Sequence, residues 1–238
     1  MSDCIRIVLL AFNEADSISS VVTSIFDHLS SHNVNYRLYV VNDGSTDMTR
    51  TIVEELATNI PITVLNHEVN LGVAKAFNTG LRQAIKDSSL KDIIITMEAD
   101  GTSVPELIVE MSEKILEGFD VVCASRYCLG GALKDFPWQR RLYSVNANRL
   151  LSMIFPIEGV SDYTLFFRAY SSSLLSKAIK HYGNSFITST GFVSNAEILI
   201  KLRYFNPQAT ECPMIYDYSI KKSKSKMRVW SNIAEYVS

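Results

Sequence analysis

The first half of the sequence alternates short runs of β-branched residues with segments of helical periodicity. Residues 5–10, 38–41, 62–65, 92–97 and 121–124 are typical of strands, and apolar residues recur at helical spacing after each of the first four. Strands separated by helices need crossover connections. The alternation therefore predicts an α/β fold with a mostly parallel sheet that is covered by helices on both faces.

The second half of the sequence loses this regular alternation. Gly130-Gly131 predicts a flexible hinge, and apolar residues at helical spacing predict an amphipathic helix over 145–155, with arginines on its flanks. Two further helices are expected over 174–182 and 196–204, followed by a strand over 213–216.

Composition narrows the classes of protein and of partner. Hydrophobic residues make up 47% of the chain and charged residues 20%, which is the balance of a globular protein. The formal net charge of -2 supplies no positive field that would attract nucleic acid, so no nucleic-acid partner is expected. The 238 residues are enough for one domain built from two halves, which we place at 1–128 and 129–238.

The sequence shows no sign of secretion or of membrane insertion. Met1 is followed by neither a basic segment nor a long apolar run, and the longest aliphatic runs are far shorter than the ~18 residues needed to cross a bilayer. The four cysteines form no CxxC pair, so buried and reduced thiols are expected. These features favour a cytoplasmic protein.

Polar clusters follow three of the predicted strands at the point where each strand ends. Asn13-Glu14 follows the first strand, residues 43–47 follow the second, and Glu98-Ala99-Asp100 follows the fourth. Ligands of open parallel sheets bind beyond the carboxyl ends of the strands. The three clusters therefore predict one ligand site at that edge.

Glu98 and Asp100 are two carboxylates separated by one residue, directly after a buried strand. Hard cations such as Mg²⁺ and Mn²⁺ take oxygen ligands and often share them with substrate phosphates, so this pair is a candidate metal site. The alternative is a solvated acidic turn, because acidic residues also favour loops and helix caps.

Asp43 stands in the turn that follows the second strand. Its carboxylate can accept a hydrogen bond from a base or a ribose hydroxyl, and Gly44 lets the chain turn sharply beside a ligand. The alternative is an ordinary strand-to-helix turn in which Thr46 or Asp47 caps the next helix. The two interpretations are compatible.

Four ordered segments of the first half resemble the motifs of the family 2 inverting glycosyltransferases. They are Ala11-Phe12-Asn13-Glu14, residues 41–47, Asn70-Leu71-Gly72 and residues 97–101. The resemblance implies the GT-A fold, a nucleotide-sugar donor and a Mg²⁺ or Mn²⁺ cofactor. It makes residues 1–128 the nucleotide-sugar-binding half and residues 129–238 the acceptor-binding half of the same domain.

The second half resembles the branch of this family that transfers sugars to dolichyl and other polyprenyl phosphates. The segments that carry this resemblance are Ser125-Arg126-Tyr127, Gly130-Gly131, Arg140-Arg141, Ser161-Asp162, Phe167-Arg168 and Ser225-Lys226-Met227. It implies a donor that carries guanine or uracil and an acceptor that is a polyprenyl phosphate.

The resemblance also implies a role for individual residues. Those expected to bind the nucleotide sugar are Ala11, Asn13, Glu14, Asp43, Gly72 and Asp100. Glu98 and Asp100 would bind the metal and the diphosphate. Arg126, Arg140 and Lys226 would hold donor and acceptor phosphates, and with Asp100 they form the expected catalytic set.

This sequence departs from the motifs of the family at several positions. Ala11 replaces the usual proline, Asn42 replaces the first of two aspartates, and Glu98 replaces an aspartate, so its carboxylate is one methylene longer. The arginine expected just upstream of Lys226 is missing. A degenerate protein that binds a nucleotide without turnover is therefore one alternative.

The chemistry of the acceptor separates the remaining alternatives. A lipid phosphate is a nucleophile near neutral pH because its second pKa is about 6. A saccharide hydroxyl, as in cell-surface polysaccharide synthesis, would instead need a carboxylate base, for which Asp162 and Glu197 are candidates. The basic segment 221–228 and the helix over 145–155 indicate a peripheral contact with the cytoplasmic face of a membrane, against the alternatives of a solvated tail and a core helix.

Overall fold

Nine strands and seven α-helices occur in residues 4–220, which are the residues that the computed structural model describes. The strands are β1 (Ile5–Ala11), β2 (Tyr36–Asp43), β3 (Ile62–His67), β4 (Ile93–Glu98), β5 (Val121–Ser125), β6 (Ala132–Lys134), β7 (Arg168–Ser171), β8 (Ala209–Pro213) and β9 (Ile215–Asp217). The helices are α1 (Ile18–Ser31), α2 (Thr49–Leu56), α3 (Val73–Lys86), α4 (Leu107–Leu116), α5 (Trp138–Ile154), α6 (Ser172–Tyr182) and α7 (Ser194–Arg203). Short 3₁₀ helices lie at Gly183–Ser185 and Tyr218–Ile220.

Seven of the strands form one sheet in the order β3-β2-β1-β4-β7-β5-β8. All neighbours are parallel except β7, which runs antiparallel between β4 and β5. A second, two-stranded sheet pairs β6 with β9. The mostly parallel α/β fold expected from the sequence is confirmed, with β7 as the exception.

The side chains of the central strands alternate between two apolar cores, one on each face of the sheet. Ile7 and Leu9 of β1 lie in the core that also contains the buried residues of α1, α2 and α4. Val8 lies in the core that contains the buried residues of α3, α6 and α7. Burial on both faces explains why these strands read as continuous apolar runs in the sequence.

The predicted strand over 213–216 is wrong as a single element. The chain passes at Met214 from one sheet to the other, because the Met214 amide donates to Ser125 at 2.8 Å while its carbonyl accepts from Ala132 at 3.1 Å. Residues before this point pair with β5 as β8, and residues after it pair with β6 as β9. Strands β6 and β7 were not predicted from the sequence.

The glycine pair at 130–131 has a packing role. A Cβ atom on Gly131 would lie 2.4 Å from the carbonyl oxygen of Ser125, and Gly130 has a φ of +92°. The chain therefore turns back closely against the end of β5, which only glycine allows at both positions. The helix predicted over 145–155 is also longer than expected, since α5 already begins at Trp138, directly after Pro137.

Candidate active site

The loops that follow β1, β2, β3 and β4 meet at one edge of the sheet. Ala11, the last residue of β1, is in register with Asn42 of β2, and Leu10 is in register with Glu98 at the end of β4. β5 points the same way, because β7 is antiparallel to both β4 and β5. The carboxyl edge of the sheet thus gathers the polar clusters that the sequence placed there.

The β1 loop is tied to the β2 loop through Asn13 and Glu14. The amide of Asn13 donates to Ser45 Oγ at 2.9 Å, and its side-chain oxygen accepts from the amide of Thr46 at 2.8 Å. Asn13 has a φ of +52°, a conformation that asparagine tolerates better than most residues. The amide of Glu14 donates to Thr49 Oγ1 at 2.8 Å, so this first turn is fixed from two sides.

The Asp43 carboxylate ties the β2 loop to the β3 loop. It accepts hydrogen bonds from the amides of Leu71 and Gly72, both at 2.9 Å, and lies 2.7 Å from Nδ1 of His67. His67 Nε2 lies 2.9 Å from Thr79 Oγ1, which suits the tautomer with its proton on Nδ1. Asp43 is thus buried and already has three donors, so its predicted contact with a nucleotide would have to use its remaining acceptor capacity.

The turn expected at 43–47 is present, but the expectation that Thr46 or Asp47 caps the next helix is not confirmed, because the N-cap of α2 is Met48 and it has no side-chain cap hydrogen bond. Asp47 instead ties the start of α2 to the β1 loop. Its carboxylate accepts from the amide of Thr49 at 3.0 Å and from the amide of Ala15 at 3.1 Å. Burial tends to raise the pKa of Asp47, but the hydrogen bonds from Thr49 and Ala15 outweigh it and hold the pKa below its usual value.

The β4 loop places Glu98 and Asp100 at the same edge. Asp100 is 3% exposed, and its Oδ1 accepts from the amide of Thr102 at 3.0 Å and from its hydroxyl at 2.6 Å. Ser17 joins this loop to the first one, because its hydroxyl lies 2.8 Å from the Ala99 carbonyl and 3.0 Å from the Glu14 carboxylate. The candidate metal ligands therefore sit on a fixed turn.

The donor set at this turn fits a Mg²⁺ or Mn²⁺ ion that is shared with a substrate. Residues 4–220 contain no group of three or more His, Cys, Asp or Glu side chains arranged to hold a metal. Mg²⁺ is commonly bound by one or two carboxylates, with phosphate oxygens and water completing its octahedron. Glu98 and Asp100 supply that number of carboxylates.

Arg126, the residue after β5, forms a buried ion pair with Asp162. Its Nε and Nη2 atoms each lie 2.8 Å from a different carboxylate oxygen, and Nη2 also donates to Thr164 Oγ1 at 2.7 Å. Burial opposes both charges, but the attraction between them wins. It raises the pKa of Arg126 and lowers the pKa of Asp162.

The loop that carries Asp162 is fixed from the edge strand β8 and from α5. The Glu211 carboxylate accepts from the amides of Ser161 and Asp162 at 2.7 and 2.8 Å. Asn148 of α5 accepts from the amide of Tyr163 at 2.7 Å. Glu211 and Asn148 thus hold Asp162 in place, and Asp162 orients the guanidinium of Arg126.

Arg140 lies in the first turn of α5, at the end of a row of aromatic rings. Its Cζ is 5.7 Å from the centroid of Tyr218, and Arg126 Cζ is 5.8 Å from that of Tyr216. The ring of Phe136 packs edge-on against both tyrosines, and its centroid lies 5.7 Å from that of Tyr216 and 5.4 Å from that of Tyr218. The row therefore links the two arginines. Lys226 lies outside the described residues.

The end of the described chain returns to the β4 loop. A Cβ atom on Gly101 would lie 3.8 Å from a methyl group of Ile220. Gly101 follows Asp100, and Ile220 precedes the basic segment of the sequence. The described part of the chain therefore ends beside the loop that carries Asp100.

Both oxygens of the Glu197 carboxylate accept hydrogen bonds from neighbouring residues. It accepts from the amides and hydroxyls of Thr188 and Ser189, at 2.6–3.0 Å, and from the ammonium group of Lys201. Burial raises its pKa, but the hydrogen bonds from Lys201, Ser189 and Thr188 outweigh that and lower the pKa to about 2. A carboxylate with so low a pKa is a weak base.

The Glu197→Gln variant is expected to lose about 2 kcal/mol of unfolding free energy at pH 7, after allowance for residual solvent screening. The folded-state pKa lies below the unfolded one, so the carboxylate stabilises the fold above the unfolded pKa. This contribution disappears as the pH falls from about 5 to about 2. Urea unfolding of both proteins at pH 7 and pH 3 measures it, and an equal deficit at the two pH values would contradict the prediction.

Several site residues could not be assigned from the sequence. His67, Glu211 and Tyr216 belong to no motif that we recognised, and only their long-range contacts reveal what they do. Asp162 was considered as a base, whereas the structure places it in the ion pair with Arg126. The aromatic residues Tyr216 and Tyr218 lie close together in the sequence and could have suggested an aromatic cluster, which the structure shows around Phe136.

Comparison with known proteins agrees with this geometry. The sequence model of Glycosyl transferase family 2 matches residues 6–179. The chain is 26% identical over 234 residues to the dolichol-phosphate mannosyltransferase of Pyrococcus furiosus, covering 98% of this chain and 61% of the relative. It is 27% identical over 173 residues to the polyprenol monophosphomannose synthase of Mycolicibacterium smegmatis, covering 72% and 63%. The chain thus spans about three fifths of the length of these curated relatives.

Solved structures show the same fold. Glucosyl-3-phosphoglycerate synthase from Mycobacterium tuberculosis, in complex with Mn²⁺, uridine diphosphate and phosphoglyceric acid, superposes with a TM-score of 0.67 at 20% identity. The match covers 98% of this chain and 74% of the synthase. The same synthase in complex with Mg²⁺ and uridine diphosphate gives 0.66 at 21% identity, covering 97% and 74%. The chain has the GT-A fold and belongs to glycosyltransferase family 2.

Proposed function

We propose that this protein transfers a sugar from a GDP- or UDP-sugar to a polyprenyl phosphate, with inversion at the anomeric carbon. The observation that carries the proposal is the state of the two candidate bases. Asp162 is paired with Arg126, and Glu197 is held by five hydrogen-bond donors, so neither is suited to deprotonate a sugar hydroxyl. A phosphate acceptor needs no such base, because it is already an anion.

The donor half supplies the loops that this proposal needs. Asn13, Glu14, Asp43 and Gly72 surround the carboxyl ends of β1 to β3, where Ala11 ends the first strand. They are the candidates for binding the nucleotide. Glu98 and Asp100 are the candidates for holding a divalent cation, which would stabilise the negative charge on the departing diphosphate.

The acceptor half contributes positive charge whose orientation is fixed. Asp162 and Thr164 use the Nε and Nη2 donors of Arg126, while its Nη1 group makes no hydrogen bond to a residue in 4–220. That group is suited to a phosphate oxygen, and Arg140 offers a second guanidinium beside Tyr218. Lys226 remains a candidate for the same task. In-line attack would then depend on alignment of the two partners.

The choice of acceptor is the decisive test. We expect sugar transfer to a short-chain polyprenyl phosphate and none to the matching polyprenol, because the alcohol has no anionic nucleophile. Incubation with radiolabelled GDP- and UDP-sugars, with Mn²⁺ present, followed by product separation measures this. Soluble saccharides serve as the competing acceptors. Transfer to a saccharide, with none to the lipid phosphate, would overturn the proposal in favour of polysaccharide synthesis.

The identity of the donor can be read from binding alone. A thermal-shift panel of UDP- and GDP-sugars, each with and without Mn²⁺, reports which base is bound and whether the metal is required. A ligand that binds only the folded state raises the melting temperature by an amount that grows with the logarithm of its concentration divided by its Kd. Tight nucleotide binding without donor hydrolysis or transfer would support the non-enzymatic alternative.

A further inference from the structure

His67 is a buried titratable residue that no step of the proposed reaction uses. It ends β3 and is in register with Asp43, which ends β2. The side chain of His67 is 10% exposed, and that of Asp43 is 6% exposed. Nδ1 of the imidazole lies 2.7 Å from Oδ1 of Asp43, and Nε2 lies 2.9 Å from the hydroxyl of Thr79 on α3. The ring is therefore fixed directly beside the candidate nucleotide site.

The two contacts of His67 decide which ring nitrogen carries the proton. A neutral imidazole has one donor nitrogen and one acceptor nitrogen. An ionised carboxylate only accepts, so Nδ1 must donate to Asp43, and Nε2 is then the acceptor for the Thr79 hydroxyl. One tautomer satisfies both contacts. His67 therefore occupies one acceptor site on Oδ1 of Asp43.

The Asp43 carboxylate has little acceptor capacity left. An ionised carboxylate offers about four lone-pair sites, which its two oxygens share equally. His67 and the amide of Leu71 use both sites on Oδ1, and the amide of Gly72 uses one site on Oδ2. No other residue in 4–220 donates to this carboxylate. One acceptor site, on Oδ2, therefore remains for a ligand.

The Asp43 side chain cannot turn to offer a different oxygen. The adjacent turn packs directly on the β3 loop, since a Cβ atom on Gly44 would lie 2.2 Å from the carbonyl carbon of Val69. The side chain of Asn70 donates to the backbone carbonyl of Asp43 at 3.2 Å, which fixes the main chain as well. A rotated carboxylate would also leave two amides and the imidazole without their acceptor. The single site on Oδ2 is thus a fixed property of the fold.

One acceptor site matches some nucleobases and not others. Uracil presents a single donor, N3–H, between two carbonyl oxygens. Guanine presents two adjacent donors, N1–H and the 2-amino group, and a carboxylate satisfies both only when each of its oxygens accepts one. At Asp43 a guanine would leave one of these donors unpaired in a buried site, which is costly. Uracil would leave none.

We propose that His67 selects a uracil base over a guanine base, because it occupies the oxygen of Asp43 that guanine would need. This inference rests on the proposed function, with Asp43 binding the base of the donor nucleotide, and it makes that donor a UDP-sugar. His67 itself does not contact the donor. It is a positioning residue that acts through Asp43.

The affinities of the protein for UDP and GDP test this inference. Titration calorimetry measures them on the full chain, with Mn²⁺ present and without an acceptor. UDP should bind about ten- to a hundredfold more tightly than GDP, which is the range expected for one unpaired buried donor. Equal affinity for the two nucleotides, or tighter binding of GDP, would overturn the inference. This comparison needs no variant, so it does not depend on how a substitution affects folding.

Three variants separate base selection from a structural role. His67→Phe frees the site on Oδ1 and keeps an aromatic ring, so the preference for UDP should fall about tenfold. His67→Asn places an amide N–H near the position of Nδ1 and should retain the preference. His32→Phe makes the same change at an exposed position and should leave both affinities unchanged.

Two results for His67→Phe would contradict base selection by His67. An equal loss of affinity for UDP and GDP would indicate a purely structural role. An unchanged preference for UDP would indicate that the size of the ring selects the base. Either result would overturn the inference.

The result for the base is separable from the result for the reaction. A preference for UDP that depends on His67, together with no transfer to a lipid phosphate, would uphold the inference and reject the proposed acceptor. Transfer to a lipid phosphate from a GDP-sugar in preference to a UDP-sugar would uphold the proposed acceptor and overturn the inference. If neither nucleotide bound, both would be rejected.

Discussion

Replacing Asp162 by asparagine is expected to lower the free energy of unfolding by about 3–5 kcal/mol, because it leaves a buried guanidinium without its counter-charge. Asp162 is fully buried, and Arg126 is 8% exposed. Asparagine keeps the shape of the side chain and one carbonyl acceptor, so most of the loss is electrostatic. Urea unfolding at pH 7 measures it, with an unchanged m-value showing that the folded state stays compact.

The control for this variant is a carboxylate in an exposed ion pair. Glu54 pairs with Arg50 on α2 at 2.9 Å, and both side chains are about half exposed. Glu54→Gln should therefore leave the unfolding free energy nearly unchanged. Similar losses in Asp162→Asn and Glu54→Gln would show that the buried pair is worth no more than a surface one. Sugar transfer by Asp162→Asn should also fall, because Arg126 loses the partner that orients it.

The second large effect is expected at Asp100. The Asp100→Asn variant should lower kcat/KM for sugar transfer on the order of a thousandfold, since one metal-binding charge beside the departing diphosphate is removed. Its fold should survive. The hydrogen bonds from Thr102 reach Oδ1, and asparagine retains an oxygen at that position. Initial rates over a range of Mn²⁺ concentrations test this, and the Mn²⁺ requirement should rise as well.

A carboxylate outside the site provides the comparison. Glu106 is exposed at the start of α4, six residues beyond Asp100 on the same connection. Glu106→Gln should keep the activity of the original protein. If Asp100→Asn were as active as Glu106→Gln, the β4 loop would not hold the metal, and the proposed function would lose its donor half.

The sequence predicted the parts of the fold that repeat a simple pattern. Strands β1, β2, β4 and β5 were recognised because burial on both faces makes each a run of apolar residues. The edge strand β3 is only half-buried, but it still begins with four β-branched or aliphatic residues. β7 was missed because it is four residues long and begins with a buried arginine. Arg168 donates to the carbonyl oxygens of Asn195 and Tyr163, both at 2.6 Å. Those partners are unpredictable from the local sequence, and a charged residue argues against a central strand.

The candidate site was also predicted only in part from the sequence. Its location followed from a topological rule, since polar clusters after parallel strands share one edge. Its internal contacts did not follow, because they join distant positions: Asp162 to Arg126, Glu211 to the amide of Ser161, and Asp43 to Gly72. The residues next to each of these carboxylates in the sequence do not show whether it binds another part of the chain or a ligand. Only the folded chain distinguishes a carboxylate that positions a loop from one that faces the edge.

The place of β7 in the sheet also affects how the protein is made. β5 pairs with β7 and β8, and both come later in the chain. As the nascent chain leaves the ribosome, β1 to β4 can assemble early, whereas β5 must wait for residues 168–171. At ~5–20 residues per second this delay lasts several seconds, during which an apolar strand has no partner. A chaperone that binds nascent chains would find its target at residues 121–125.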